Sequence, residues 1–303
     1  MRGKIKSISA PLLIAILASS AHYCGNEPAT VNPSSAQPKT SAPPGTTVLP
    51  DNKNPYGSSQ PANPEPRKPV LPTFPTRPSP LLVDGFAPSS HVGPENKSGK
   101  DAPLVVVLHG NYDRPEWECE TWARIAGFHG WILCPRGIPT PWASPDEDRW
   151  MYRGSAAVLR EINAAVAALK AAYPGAVRDG DWMLVGFSLG ASLAPNIVAA
   201  APGVFDYLYL VEGGATKLDT GRIRALKRAG IRGIGLAQAT SKNRKAAQAA
   251  MVRLKKLGLF TVYVDMAGAG HNYRDDFTTT GRASLKELFH RTDADDDSSA
   301  DPR

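Results

Sequence analysis

With 303 residues, 42% hydrophobic content and six tryptophans, the chain is neither collagen-like nor disordered throughout. Yet 15 of its 28 prolines crowd into residues 25–80, a polar stretch that cannot bury enough apolar surface to offset its chain entropy. The folded core is thereby held to residues 81–290, room for one α/β domain and not two, and its share of the +7 net charge is only +5, too little to mark a nucleic-acid binder.

In chain order, Arg2, Lys4 and Lys6 precede an apolar run over residues 8–18, followed by the small residues Ser19, Ser20 and Ala21. A positive start, a short apolar run and a small-residue site describe an export signal over residues 1–24. The run is too short to span a bilayer, which takes about 20 residues. Cys24 stands where a bacterial lipoprotein carries its lipid, although Tyr23 before it is larger than usual. Both readings, lipidation of Cys24 and plain cleavage near Ala21, predict an exported protein: periplasmic, outer-membrane-anchored or extracellular. Residues 25–80 would then space the domain from a surface.

The β-branched run Leu104–Leu108 reads as a strand buried on both faces, ending at His109 and Gly110. Trp131–Cys134 is a second strand, stopped by Pro135. Ser155 is placed to cap a helix with apolar positions Val158, Ile162, Val166, Leu169 and Tyr173, ended by Pro174 and Gly175. Further strands are expected at residues 182–185, 207–211, 231–236 and 260–264. Helices are expected at residues 191–201, 222–230 and 242–258, the first interrupted by Pro195. Strand and helix alternate, which predicts a mostly parallel sheet with helices on both faces. An acidic disordered tail, residues 291–303, closes the chain.

The run Gly186-Phe-Ser-Leu-Gly190 leaves a strand and opens a helix. Glycines on either side of Ser188 permit a sharp turn that lifts its hydroxyl above the sheet, at a helix N-terminus that favours developing negative charge. A serine nucleophile needs a base, and His271, in a glycine-rich loop past the last strand, can fold over the same sheet edge. His109 ends a strand, His129 lies in a connection, His91 precedes the core and His290 closes the last helix; all fit worse. The oxyanion of a tetrahedral intermediate needs backbone donors, assigned to the N–H groups of Leu189 and Asn111. No Cys or His spacing suits a metal and no nucleotide fingerprint occurs, so no cofactor is expected.

These runs, VVVLHG, GFSLG and GAGH in this order, resemble the α/β-hydrolase superfamily over about residues 104–289, and are similar to small serine esterases of the dienelactone-hydrolase and polyhydroxybutyrate-depolymerase-like type. The resemblance implies a three-layer α/β fold without a large lid, and a Ser–His–acid hydrolase acting on a small or polymeric ester. It also implies an Asp shortly after the penultimate strand, where this chain reads Ala237-Gln-Ala-Thr-Ser-Lys-Asn-Arg244. Two carboxylates could substitute. Glu212 ends the strand after the elbow and is favoured; Asp265 ends the last strand. Equally, Glu212 could be a structural carboxylate bonded by the N–H groups of Gly213 and Gly214. The missing Asp keeps a rival open, a surface-tethered binding domain of the same fold that has lost catalysis.

Residues 135–154, rich in Pro and Trp, are expected to overhang the site, either lining an acyl pocket or packed as a loop. Residues 217–256 hold twelve Lys and Arg against Asp219 alone. They read either as a solvated helix face or as a patch for polyanions. Cys119, at the start of the helix after the first strand of the run, and Cys134, at the end of the next strand, both fall at the sheet's C-terminal edge. They are expected to form a disulfide, which leaves Cys24 unpaired.

Overall fold

The computed structural model describes residues 75–95, 101–144 and 146–298. The expected export signal, Cys24 and residues 25–74 lie outside them. Among the described residues, eight strands form one sheet in the order β1-β2-β4-β3-β7-β8-β9-β10. These are β1 (Ser79–Leu81), β2 (Ser89–Val92), β3 (Leu104–Leu108), β4 (Trp131–Cys134), β7 (Met183–Phe187), β8 (Tyr207–Val211), β9 (Gly233–Gln238) and β10 (Phe260–Asp265). β5 (Ile138–Pro139) and β6 (Trp150–Met151) pair separately. Within the eight-stranded sheet, β4-β3-β7-β8-β9-β10 pair in parallel, while β1–β2 and β2–β4 are antiparallel.

The buried strands explain the three layers. In β3, Leu104, Val106 and Leu108 join the core made with α2 (Ser155–Ala172), α3 (Leu189–Ala200), α4 (Thr220–Arg228) and α5 (Ser241–Lys256). Val105 and Val107 point the other way, into the core made with α1 (Pro115–Ala126) and α6 (Phe277–Ser298). Alternate residues of a strand face opposite sides, so a run apolar at every position needs a helical layer on each. No large helical lid is inserted among the described residues.

Several local expectations shift. Ser79 and Pro80 belong to strand β1, not to a linker, and α6 carries its backbone helix on to Ser298 through the acidic residues. His91, expected before the core, is buried in β2 between the Ser79 carbonyl at 2.8 Å and the Tyr173 hydroxyl at 2.9 Å. The cap of α2 is Gly154; the Ser155 hydroxyl instead donates to the Leu193 carbonyl. Pro195 sits within α3. In α4, Ile223 and Leu226 are buried while Arg224, Lys227 and Arg228 are exposed. That face is solvated in the ordinary amphipathic way.

Candidate active site

Ser188 follows β7 directly and sits at φ 51°, ψ −105°, before the first residue of α3. A non-glycine residue held there costs on the order of 1–3 kcal/mol, so its surroundings must impose it. Its N–H donates to Val211 O at 3.0 Å, and its carbonyl accepts from Ser192 N–H at 3.0 Å. A Cβ on Gly186 would collide with the backbone of Gly190 and Ala191, and one on Gly190 with the Leu108 carbonyl. The two glycines are therefore steric requirements of the turn.

Register places the acid. Phe187 pairs with Val211, and Val211 with Ala237, so the residues just past β7 and β8 are neighbours at the C-terminal edge. Glu212 is the residue past β8. It too has positive φ (47°), and its N–H donates to Ala237 O at 3.0 Å. Its side chain has no exposed surface. The carboxylate accepts from the N–H groups of Ala239 and Thr240, the latter at 3.0 Å, and from Asn243 Nδ2 at 3.2 Å. These donors come from the segment where the resemblance called for an Asp. The loop after β9 supplies no acid of its own and cradles the one from the neighbouring strand.

His271 completes the arrangement. Its Nδ1 lies 3.0 Å from Glu212 Oε2, and its Nε2 lies 2.7 Å from Ser188 Oγ. A carboxylate only accepts, so Nδ1 carries the proton and Nε2 is left to take the one on the serine hydroxyl. The Phe187 ring stands 5.5 Å from the imidazole. Asp265, the competing acid, is engaged elsewhere: Arg244 Nη2 donates to it at 2.6 Å and Ala267 N–H at 2.9 Å. The Arg244 guanidinium holds its pKa below the usual carboxylate range. The N–H of Gly213, expected on Glu212, instead donates to Gln238 Oε1 at 3.0 Å.

Ser188, Leu189, Glu212 and His271 line a cleft of about 350 Å³ together with Gly213, Thr216 and Lys242. Leu189 is the first residue of α3, where an N–H has no partner within the helix. Asn111 is exposed in the loop after Gly110 and is not among the residues lining the cleft. That loop is tied to the elbow through Gly190 N–H, which donates to His109 O at 3.2 Å. His109 is itself buried, each ring nitrogen facing a carbonyl, Gly110 O at 2.7 Å and Arg136 O at 2.8 Å, and burial lowers its pKa. None of the described residues of 135–154 lines the cleft; the Tyr152 hydroxyl, donating to Pro135 O, packs that segment on itself. Cys119 and Cys134 form the disulfide.

A strained serine between a parallel strand and a helix, with a histidine and a carboxylate from later strand ends, decides the fold. The chain has the α/β-hydrolase fold. Est1E from Butyrivibrio proteoclasticus aligns at a TM-score of 0.51 and 15% identity, over 72% of this chain and 99% of that one. An uncharacterized protein from Bacillus cereus aligns at 0.52 and 14%, over 64% and 62%. An acylaminoacyl peptidase from Pyrococcus horikoshii aligns at 0.46 and 15%, over 74% of this chain and 41% of the peptidase. The chain thus spans less than two thirds of the length of the last two. No protein-family model and no curated protein matches the chain. The site it carries is a Ser–His–Glu arrangement of the serine-hydrolase type, with a Glu from the end of β8 taking the part usually played by an Asp after β9.

Sequence reasoning found Ser188, His271 and Glu212. It missed Gln238 and Asn243, which bond the Gly213 backbone and the Glu212 carboxylate. Nothing in a polar residue at a strand end or in a helix's first turn signals such a role.

Proposed function

We propose that this protein is an exported serine hydrolase of carboxylic esters. Ser188 attacks the acyl carbon while His271 Nε2 takes its proton, and Glu212 stabilises the imidazolium that results. The Leu189 N–H receives the oxyanion, joined by the N–H of Asn111 when substrate draws the loop after Gly110 inward. His271 then returns the proton to the leaving alcohol, and water repeats the sequence on the acyl-enzyme. The observation that carries this reading is the continuous chain from Glu212 Oε2 through His271 to Ser188 Oγ, at 3.0 and 2.7 Å. A binding domain that had lost catalysis would have no cause to keep that chain closed. The motifs VVVLHG, GFSLG and GAGH are similar to those of small esterases of the dienelactone-hydrolase and depolymerase-like type. The amino-terminal pattern and the disulfide support export to an oxidising compartment, either as a released protein or as one anchored through a lipid on Cys24.

A fluorophosphonate probe tests the reading. Wild-type protein is expected to label at Ser188 and the Ser188→Ala variant not at all. Unlabelled wild-type protein would sink the proposal. A panel of p-nitrophenyl esters of graded acyl length then measures the substrate range.

A further inference from the structure

The segment that carries His271 is poorly fastened. Gly268 and Gly270 have positive φ, at 92° and 67°, and residues 267–272 are mostly exposed. At its start, Met266 N–H donates to Gln238 O at 3.0 Å. Arg274, beyond it, reaches back to Asp265 O from the surface. Two residues after His271, the Tyr273 hydroxyl donates to Glu118 Oε2 at 2.7 Å and accepts from Trp122 Nε1 at 3.0 Å. Tyr273 also stacks on Phe187 at 5.0 Å, the ring that neighbours the His271 imidazole.

Glu118 is an unusual group to find at the end of that link. It is 4% exposed on α1, next in sequence to disulfide-bonded Cys119. The titratable groups that face it are Asp113 from the loop before α1, Tyr273 from beyond β10 and Tyr152 from beyond β6. None is a cation. A buried carboxylate with no counter-charge is costly, and its protonated form is the one such a site tolerates.

We propose that Tyr273 is a positioning residue: its bonds to Glu118 and Trp122 hold His271 against Ser188 and Glu212. Burial, with the Asp113 charge second, raises the Glu118 pKa to about 8, against the opposing pull of the Tyr273 hydrogen bond. An ionised Glu118 keeps the Tyr273 donor but stands buried beside Asp113, and none of the groups that face it is a cation. It therefore draws in water, and the opening that admits water loosens the His271 segment. This adds to the hydrolase reading a second ionisation, outside the Ser–His–Glu group, that governs the alkaline limb of activity.

Ester hydrolysis by the full chain is measured from pH 6 to 10, alongside NMR of the imidazole Nδ1–H of His271 in ¹⁵N-histidine-labelled protein. Tyr273→Phe is expected to lower kcat at least about tenfold with KM changed less than about threefold, because a displaced base costs turnover before it costs binding. Its bonded Nδ1–H signal should weaken at every pH. Wild-type protein should lose both turnover and signal as pH climbs through about 8. Glu118→Gln, fixed in the uncharged form, should keep both to higher pH, while Glu118→Ala behaves as Tyr273→Phe does. A Tyr273→Phe variant with wild-type kcat and an unchanged Nδ1–H signal overturns the proposal, and so does a Glu118→Gln variant with the wild-type alkaline limb. If wild-type protein turns over no ester, the hydrolase reading fails, and the imidazole signal in Tyr273→Phe still decides this one.

Discussion

The Glu212 carboxylate meets donors from every side: two backbone N–H groups, the Asn243 amide and His271 Nδ1–H. Glu212→Gln would turn an NH₂ towards some of those donors and deprive the imidazole of its anion. Turnover should fall by up to about 10⁴, the loss that follows when a triad acid is replaced by its amide. Asp265→Asn should change it less than about threefold, since that side chain serves Arg244 and Ala267. Equal losses in the two variants would remove Glu212 from its role. Glu118 makes a separate prediction about stability. Its pKa is about 8 in the fold against an ordinary 4.5, so between these values the folded state holds a proton that the unfolded chain has released. Stability contributed by this group is complete below about pH 4.5 and declines until about pH 8. Glu118→Gln lacks that decline. Relative to wild type it should gain up to about 1.4 kcal/mol per pH unit across the window, read from urea midpoints at pH 5 to 8. Parallel midpoints would show that Glu118 is ionised in the fold.

At the scale of elements, the disulfide joins the first half of α1 to the last residue of β4, 15 residues apart. Both elements meet at the C-terminal edge because a helix leaving a parallel strand begins where the next strand ends. Closing that loop restricts the unfolded chain by about 3 kcal/mol, so Cys119→Ser with Cys134→Ser should lower stability by about that amount. Thiol titration of denatured, unreduced protein should find Cys24 at most. Two further thiols would contradict the bond. The same helix presents Glu118 and Trp122 to Tyr273, so the double variant should also lose activity before it unfolds. The loop from β9 into α5 shows a different economy: Ala239, Thr240 and Asn243 bring donors to an acid that belongs to the neighbouring strand.

For the molecule as a whole, the parallel sheet brings the ends of β7, β8, β9 and β10 to one edge, and the candidate site is what the sequence places just beyond those ends. Of the basic stretch, Lys242 lines the cleft. The basic residues of 217–256 serve partly as structure: Lys227 caps α5 at Leu257 O, Arg253 bonds Leu218 O, and Arg232 pairs with Asp181. The antiparallel edge formed by β1 and β2 escaped the sequence reading because these strands are short, rich in serine and broken by proline, with no apolar alternation to mark them.

The order of the parallel strands and the helices between them, the elbow at Ser188 and the histidine loop were legible in the sequence. Each rests on a short-range rule: β-branched runs buried on both faces, helical spacing, and a turn too tight for a Cβ on either side of the serine. The disulfide was legible too, because topology alone puts both cysteines at one edge. Tertiary structure decided which carboxylate meets His271, since Glu212 and Asp265 both stand at strand ends. What separates them is the set of partners, Asn243 and His271 for one and Arg244 for the other, brought from 21 to 59 positions away. It alone also joined Glu118 to Tyr273 across 155 positions. No local pattern encodes such a pair, because a buried polar group is recognised by what surrounds it, and its surroundings exist only once the sheet and its two helical layers have packed.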